Sequence, residues 1–169
     1  MTAAPCNACW LAWARARDLT PAFREIGKGV KADAQLRFKD SKDPYGVAWK
    51  RLSFATLMAR ARKAGGGKAT KRAGTFKKAA GRAFASAKPL LDTGRLRNSI
   101  ASRLLGNGVE VGTNTVYAAI HQFGGQAGRG RKTTIPARPY IATKERGLPR
   151  EYGEIIRDAL NRHFAKVVE

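Results

Sequence analysis

Asp92-Thr93-Gly94, inside the stretch LLDTGRLRNSI from Leu90 to Ile100, is the triplet that presents the catalytic carboxylate in retroviral-type aspartic proteases. That chemistry needs two carboxylates facing each other and sharing one proton in a dry site. The chain carries a single such triplet, so a dyad would require a homodimer. Arg95 and Arg97 follow at once, and their charges favour an ionised Asp92 and oppose proton sharing. The protease pattern also wants a small residue after the glycine, where this chain has Arg95. The triplet therefore calls for a structural explanation.

The other reactive residue types are equally isolated. Cys6 and Cys9 are spaced C-x-x-C, but a closed zinc site needs four ligands, and the two histidines, His121 and His163, lie far apart. A thioredoxin-like pair would follow a strand, and none precedes Cys6. These residues read as two reduced thiols. Gly65-Gly66-Gly67-Lys68 lacks both the preceding strand and the Ser or Thr after lysine that a phosphate loop requires. His121 has no nucleophile nearby and reads as a capping or interface residue. Neither enzyme activity nor a cofactor is expected.

Charge is the dominant feature of the composition. The chain of 169 residues carries 33 Lys and Arg against 12 Asp and Glu, a formal charge of +21, with 43% hydrophobic residues. The length suits one domain with a real core. A field of this sign implies an anionic partner, either nucleic acid or an acidic protein surface. No apolar run approaches the roughly 20 residues of a membrane-spanning helix. In MTAAPCNACWLAWARAR the positive residues follow the apolar ones, the wrong order for a signal peptide, so assembly in the cytoplasm is expected.

The elements that must position these residues follow from periodicity. Residues 1–19 read as an N-terminal extension and residues 20–169 as a single α+β domain. Thr20 as N-cap and Pro21 at the first helical position start a helix. Phe23, Ile26, Val30 and Ala34 form its apolar face, running to Phe38, while Gly27 and Gly29 weaken it. Asp43-Pro44-Tyr45-Gly46 is a type I turn, with Trp49 and Leu52 as anchors. Ser53 begins a short helix over residues 54–62.

Residues 60–88 hold ten Lys and Arg with no acid, together with Gly65-Gly66-Gly67 and many alanines. They read as a mobile basic arm or long loop. Strands over 99–104 and 109–112 flank Gly106-Asn107-Gly108, which supplies the positive φ of a tight hairpin. Asn114 or Thr115 caps a short helix over 116–123, whose apolar face is Val116, Ala119, Ile120 and Phe123, closed by Gly124-Gly125. Residues 126–132 form a basic glycine loop. Residues 135–141, IPARPYI, form a proline-bearing edge strand. Pro149 starts a C-terminal helix that presents Tyr152, Ile155, Ile156, Ala159, Leu160, Phe164 and Val167 to the sheet. The expected fold is a small antiparallel sheet, hairpin plus edge strand, packed against N- and C-terminal helices with a long basic arm.

Five blocks in order carry a resemblance. Asp43-Pro44-Tyr45-Gly46 with Trp49, the stretch 91–100, the stretch 109–114, the stretch 117–125 and the stretch 135–141 resemble the successive motifs of the phage virion morphogenesis family, the tail-completion proteins of Mu-like phages and prophages. The basic arm is longer and richer in alanine and lysine than that pattern. The resemblance implies a non-catalytic structural protein of the virion, in the neck or at the head-proximal end of the tail, that mediates head–tail joining. It also implies a homo-oligomeric ring matching the sixfold tail, in contact with other neck, connector or tail-tube proteins. In such a protein Asp92 or Thr93 would cap a turn, and Gly94 would allow a tight backbone. Leu96 and Ile100 would then point inward, with Arg95 and Arg97 pointing outward.

Two surfaces offer themselves for ring contacts, the edge strand over 135–141 and the hairpin over 100–111. The candidate interaction residues are Arg95, Arg97, Tyr117, His121, Gln122, Arg138 and Tyr140, with Lys71, Arg72, Lys77 and Lys78 on the arm. The rival reading is a nonspecific nucleic-acid-binding assembly factor that uses the arm for phosphate contacts. Phe76 and Phe84 alone interrupt the arm, so stacking on single strands has little support, and no sequence-reading module is present.

Overall fold

The protein is described by a computed structural model covering residue 13, residues 15–71 and residues 74–168. Cys6, Cys9 and Arg72 lie outside the described residues. In chain order the elements are α1 (Thr20–Asp40), α2 (Phe54–Ala64), α3 (Lys78–Ala85), α4 (Arg95–Asn98), β1 (Ala101–Leu105), β2 (Gly108–Gly112), α5 (Ala118–Phe123), β3 (Gly125–Ala127), β4 (Thr133–Ile135) and α6 (Arg150–Val168). Short 3-10 turns at Arg129–Arg131 and Lys144–Arg146 complete an α+β fold.

Helix α1 is the axis of the molecule. Ile26, Val30, Ala34 and Phe38 are buried along it at helical spacing, as the periodicity predicts. Thr20 proves to be the first helical residue and not the cap; its N–H is instead accepted by Asp18 Oδ1 at 3.0 Å. Gly27 and Gly29, which read as weak points, are close-approach positions. A Cβ on Gly27 would lie 2.7 Å from Val109 Cγ2 and 3.1 Å from Ser102 Cβ, and one on Gly29 would lie 2.6 Å from Ile155 Cγ2. Missing side chains thus let α1 seat directly on the β1–β2 hairpin on one side and on α6 on the other. Helix α6 packs along α1, with Tyr152 and Ala159 buried against Ile26 and Val30. The C-terminal helix packs chiefly on α1, Val109 and Val111 of the hairpin join the same cluster as Tyr152 and Ile155, and Phe164 stays exposed.

Phe38 organises the other end of the core. Fully buried, it meets Trp49 edge-on at 5.7 Å and Tyr140 at 5.3 Å, with Leu96 and Ile100 in the same cluster. Trp49 Nε1 donates to the Pro139 carbonyl at 2.8 Å, which satisfies its polar edge. The Asp43 turn stands as read, closed by Gly46 N–H to Asp43 O at 3.1 Å. Its buried carboxylate accepts from the Tyr45 and Val47 N–H groups at 2.9 and 2.8 Å and pairs with Arg146 at 2.6 Å, which anchors the turn to the segment before α6.

The sheet departs from expectation, for the strands form two separate antiparallel pairs, β1–β2 and β3–β4. In β1–β2 the register runs from Ala101 opposite Gly112 to Leu105 opposite Gly108. Its turn closes with none of Gly106, Asn107 or Gly108 at positive φ, contrary to the expected left-handed turn. In β3–β4, Gly125 faces Ile135 and Ala127 faces Thr133, so the supposed basic loop over 126–132 is partly a second hairpin. Residues 136–141 run on beyond β4 as extended chain without a ladder, because proline twice removes a donor.

The basic arm is folded. Ser53 caps α2 by accepting from Thr56 N–H at 3.3 Å, and α2 packs on α3 through the buried alanines Ala61, Ala69 and Ala80, flanked by Met58 and Phe84. Lys77 Nζ donates to the Gly65 carbonyl at 2.7 Å, and Lys88 Nζ donates to the Lys39 carbonyl at 2.7 Å. Alanine permits this: a helix pair with methyl side chains approaches closely while its lysines stay solvated on the outside.

Candidate functional site

Where α2, the Asp92 corner, α5 and β4 face one another they leave an open groove of about 820 Å³. Each wall has a local cause. Gly94 takes φ +75°, a left-handed conformation natural to glycine, and starts α4. Thr93 Oγ1 accepts from Arg95 N–H at 3.4 Å, so the corner is tied by Thr93. Asp92 does not cap; its carboxylate lies 3.7 Å from Arg60 Nε and 3.6 Å from Lys63 Nζ and holds α2 beside the corner. Leu96 and Ile100 are buried below, and Arg95 points to solvent.

Helix α5 is turned over relative to its expected orientation. Val116 is 98% exposed and Phe123 68%, while Ala118 and Gln122 are buried. The cause is Gln122. Its Oε1 accepts from Tyr140 N–H at 3.0 Å and Ile141 N–H at 3.3 Å, and its Nε2 donates to the Ile141 carbonyl at 2.7 Å. One amide thereby satisfies three backbone groups of a segment that has no strand partner, which outweighs the apolar face. Neither Asn114 nor Thr115 caps the helix, which begins after Tyr117. Thr115 instead joins Ser99 and Thr113 in a hydroxyl cluster with separations of 2.6 to 3.0 Å.

Of the residues singled out from the sequence, Arg95, Tyr117, His121 and Arg138 meet in this groove. Arg138 is only 6% exposed; its Nε donates to the Lys50 carbonyl at 3.0 Å and its Nη2 to that of Arg51 at 3.3 Å. Burial, and then the neighbouring charge of Arg60, push the Arg138 pKa down. His121 is held below its ordinary pKa by burial and by Arg138, and its Nδ1 is buried without a hydrogen-bond partner among the described residues. Gln122, Tyr140 and Arg138 are all buried; Gln122 and Tyr140 lie outside the groove lining, whereas Arg138 lines it. Tyr140, pushed up in pKa by burial, serves the Phe38 cluster. Half-buried Arg97 is turned away from the groove toward Asn98, at 3.1 Å. Lys71 and Lys78 are exposed on the α2–α3 lobe, whereas Lys77 is half-buried in its bond to Gly65. Lys50, Arg51, Thr133 and Thr134 also line the groove and were missed, because their stretches show no motif.

The backbone of 135–141, expected to be an open edge, is largely occupied: Arg138 N–H donates to the His121 carbonyl at 2.8 Å, and Gln122 takes Tyr140 and Ile141. The β1–β2 hairpin keeps both outer edges without a strand partner among the described residues. The one carboxylate of the triplet lies within 4 Å of two cations, Arg60 and Lys63.

The model of the phage virion morphogenesis family matches residues 9–165. The chain belongs to that family. Mu-like prophage FluMu G protein 2 of Haemophilus influenzae is 51% identical over 70 residues, 41% of this chain, and the aligned stretch spans about half, 48%, of that relative's length. No solved structure matches. The role is accordingly a structural or morphogenetic one in phage assembly. In this virion morphogenesis protein the Asp92-Thr93-Gly94 triplet is a structural corner, and among the described residues no helix is long and apolar enough to cross a membrane.

Proposed function

We propose that this protein completes the tail or neck and mediates head–tail joining as a homo-oligomeric ring, without catalysis, and that it stays in the virion beside connector or tail-tube proteins. The observation that carries the reading is the family match over residues 9–165. The structure supports it with two different surfaces on one subunit, the edges of the β1–β2 hairpin that pair with no strand among the described residues and the exposed apolar Phe123 side of α5. A head-to-tail ring needs two such unlike surfaces. The exposed apolar Val116, just before α5, adds to the surface available for burial in an assembly. A stop codon early in the gene tests this: filled heads and full-length tails that fail to join are expected, and joined infectious particles would overturn it.

The charge of +21 favours one rival, nonspecific DNA binding. Exposed Arg62, Lys68, Lys71, Lys78 and Arg82 stud the α2–α3 lobe and suit phosphate contacts. Such binding would weaken linearly with salt on logarithmic axes. A salt titration of duplex binding decides it: flat, negligible affinity at physiological salt removes this reading.

A further inference from the structure

Arg138 poses a charge problem that the fold leaves open. Its guanidinium is buried, and its hydrogen bonds go to two carbonyls, which satisfy donors without neutralising charge. Among the described residues no carboxylate lies within 4.0 Å of it. Burying an uncompensated cation is unfavourable, and removing water from it strengthens its pull on any anion that arrives. Lys50, Arg51 and Arg95 stand exposed around it, and the one acid of the lining, Asp92, is already shared by Arg60 and Lys63.

Charge alone does not describe the cleft. Leu52, Leu90, Ile135, Pro136 and Tyr117 make much of its wall. On one side runs β4, whose second edge pairs with no strand among the described residues. Anionic, apolar and extended are therefore the three properties of the complementary ligand.

We propose that the groove receives an extended acidic segment of another virion protein, its carboxylates toward Arg138, Arg95 and Arg60, its apolar side chains in the cleft and its backbone alongside β4. This rests on the structural role proposed above and names the partner's chemistry. DNA suits the cleft less well, because a phosphate backbone brings no apolar side chains to the wall of Leu52, Leu90, Ile135 and Pro136. A second copy of this chain suits it poorly too. Its densest acids, Glu145, Glu151, Glu154 and Asp158, are interleaved with Arg146, Arg150 and Arg157, and all but Glu145 are locked in α6.

The test is photo-crosslinking in assembled particles, with p-benzoylphenylalanine in place of the exposed groove residue Thr134 and, as a control, in place of Lys166 on α6. The expected result is a crosslink from position 134 to a net-negative segment of another virion protein, absent from position 166, with yield falling at least about tenfold when Arg95→Glu is added. A link to a neutral or basic segment, to DNA or to a second copy of this chain overturns the proposal. So does the absence of any link in particles that contain the protein. Particles that lack this chain altogether would instead refute the structural role on which the proposal stands.

Discussion

Gly27→Ala and Gly153→Ala make the same chemical change in two helices and are expected to act with opposite signs. In a helix interior alanine is favoured over glycine by roughly 0.5–1 kcal/mol, since glycine has more backbone entropy to lose. At Gly153, in the first turns of α6, an added Cβ meets nothing within 4 Å, so that gain is retained in full. At Gly27 the new methyl would sit 2.7 Å from Val109 Cγ2 and 3.1 Å from Ser102 Cβ. The Val109 methyl can swing aside, but the Ser102 Cβ is fixed to the strand backbone, so α1 and the hairpin must move apart. Overpacking of this kind costs about 1–3 kcal/mol. Set against the helical gain, Gly27→Ala should be neutral to destabilising by about 2 kcal/mol, while Gly153→Ala stabilises by up to about 1 kcal/mol. Urea unfolding followed by circular dichroism reads both as shifts in midpoint at constant slope. In a Val109→Ala background, part of the Gly27→Ala penalty should be relieved, as a coupling between touching residues. Equal stabilisation by both substitutions would refute the close seating of α1 on β1–β2.

Other expectations follow from single contacts. Phe38→Ala empties the centre of the aromatic cluster with Trp49 and Tyr140 and should lower unfolding stability by about 3–5 kcal/mol in the same urea assay. Asp43→Ala strands two backbone N–H groups and Arg146, so it should destabilise by about 2–4 kcal/mol, with Asp43→Asn milder because an amide oxygen can still accept in the turn. Tyr152, pushed up to about 12 by burial and then by the charge of Asp33, ionises near its ordinary 10.0 only when unfolded. The folded state therefore holds more protons in that window, and the stabilising effect is present below pH 10 and lost toward pH 12; Tyr152→Phe should flatten the alkaline decline of the melting temperature. Lys71→Gln with Lys78→Gln should leave the melting temperature unchanged and weaken attachment to any anionic surface reached by the α2–α3 lobe, as read by the yield of joined particles.

Helices α1 and α6, the first hairpin and the Asp43 turn were legible because each is written locally, in apolar spacing or turn residues. Their mutual arrangement was not: Gly27 and Gly29 look like defects in one helix until Val109 and Ile155 are brought against them. The α2–α3 lobe was misread as a mobile arm because charge and alanine resemble low complexity, whereas Ala61, Ala69 and Ala80 pack helices by being small. Helix α5 defeated periodicity for a different reason. Its apolar stripe predicts one orientation, but the unpaired backbone of Tyr140 and Ile141 needs Gln122 inside, and that need arises 18 residues away. The groove was half legible. Arg95, Tyr117, His121 and Arg138 were named, yet the burial of Arg138 under the Lys50 and Arg51 carbonyls is a tertiary fact that no spacing shows.

The central claim, a structural ring in the virion, is tested most directly by counting. Quantitative mass spectrometry of nuclease-treated, gradient-purified particles and free tails, normalised to the portal and tube proteins, measures the copies of this chain in each. About six copies per particle is the predicted result, the number that the proposed closed sixfold ring holds. Absence from both particles and tails would contradict the account and leave a transient assembly factor in its place.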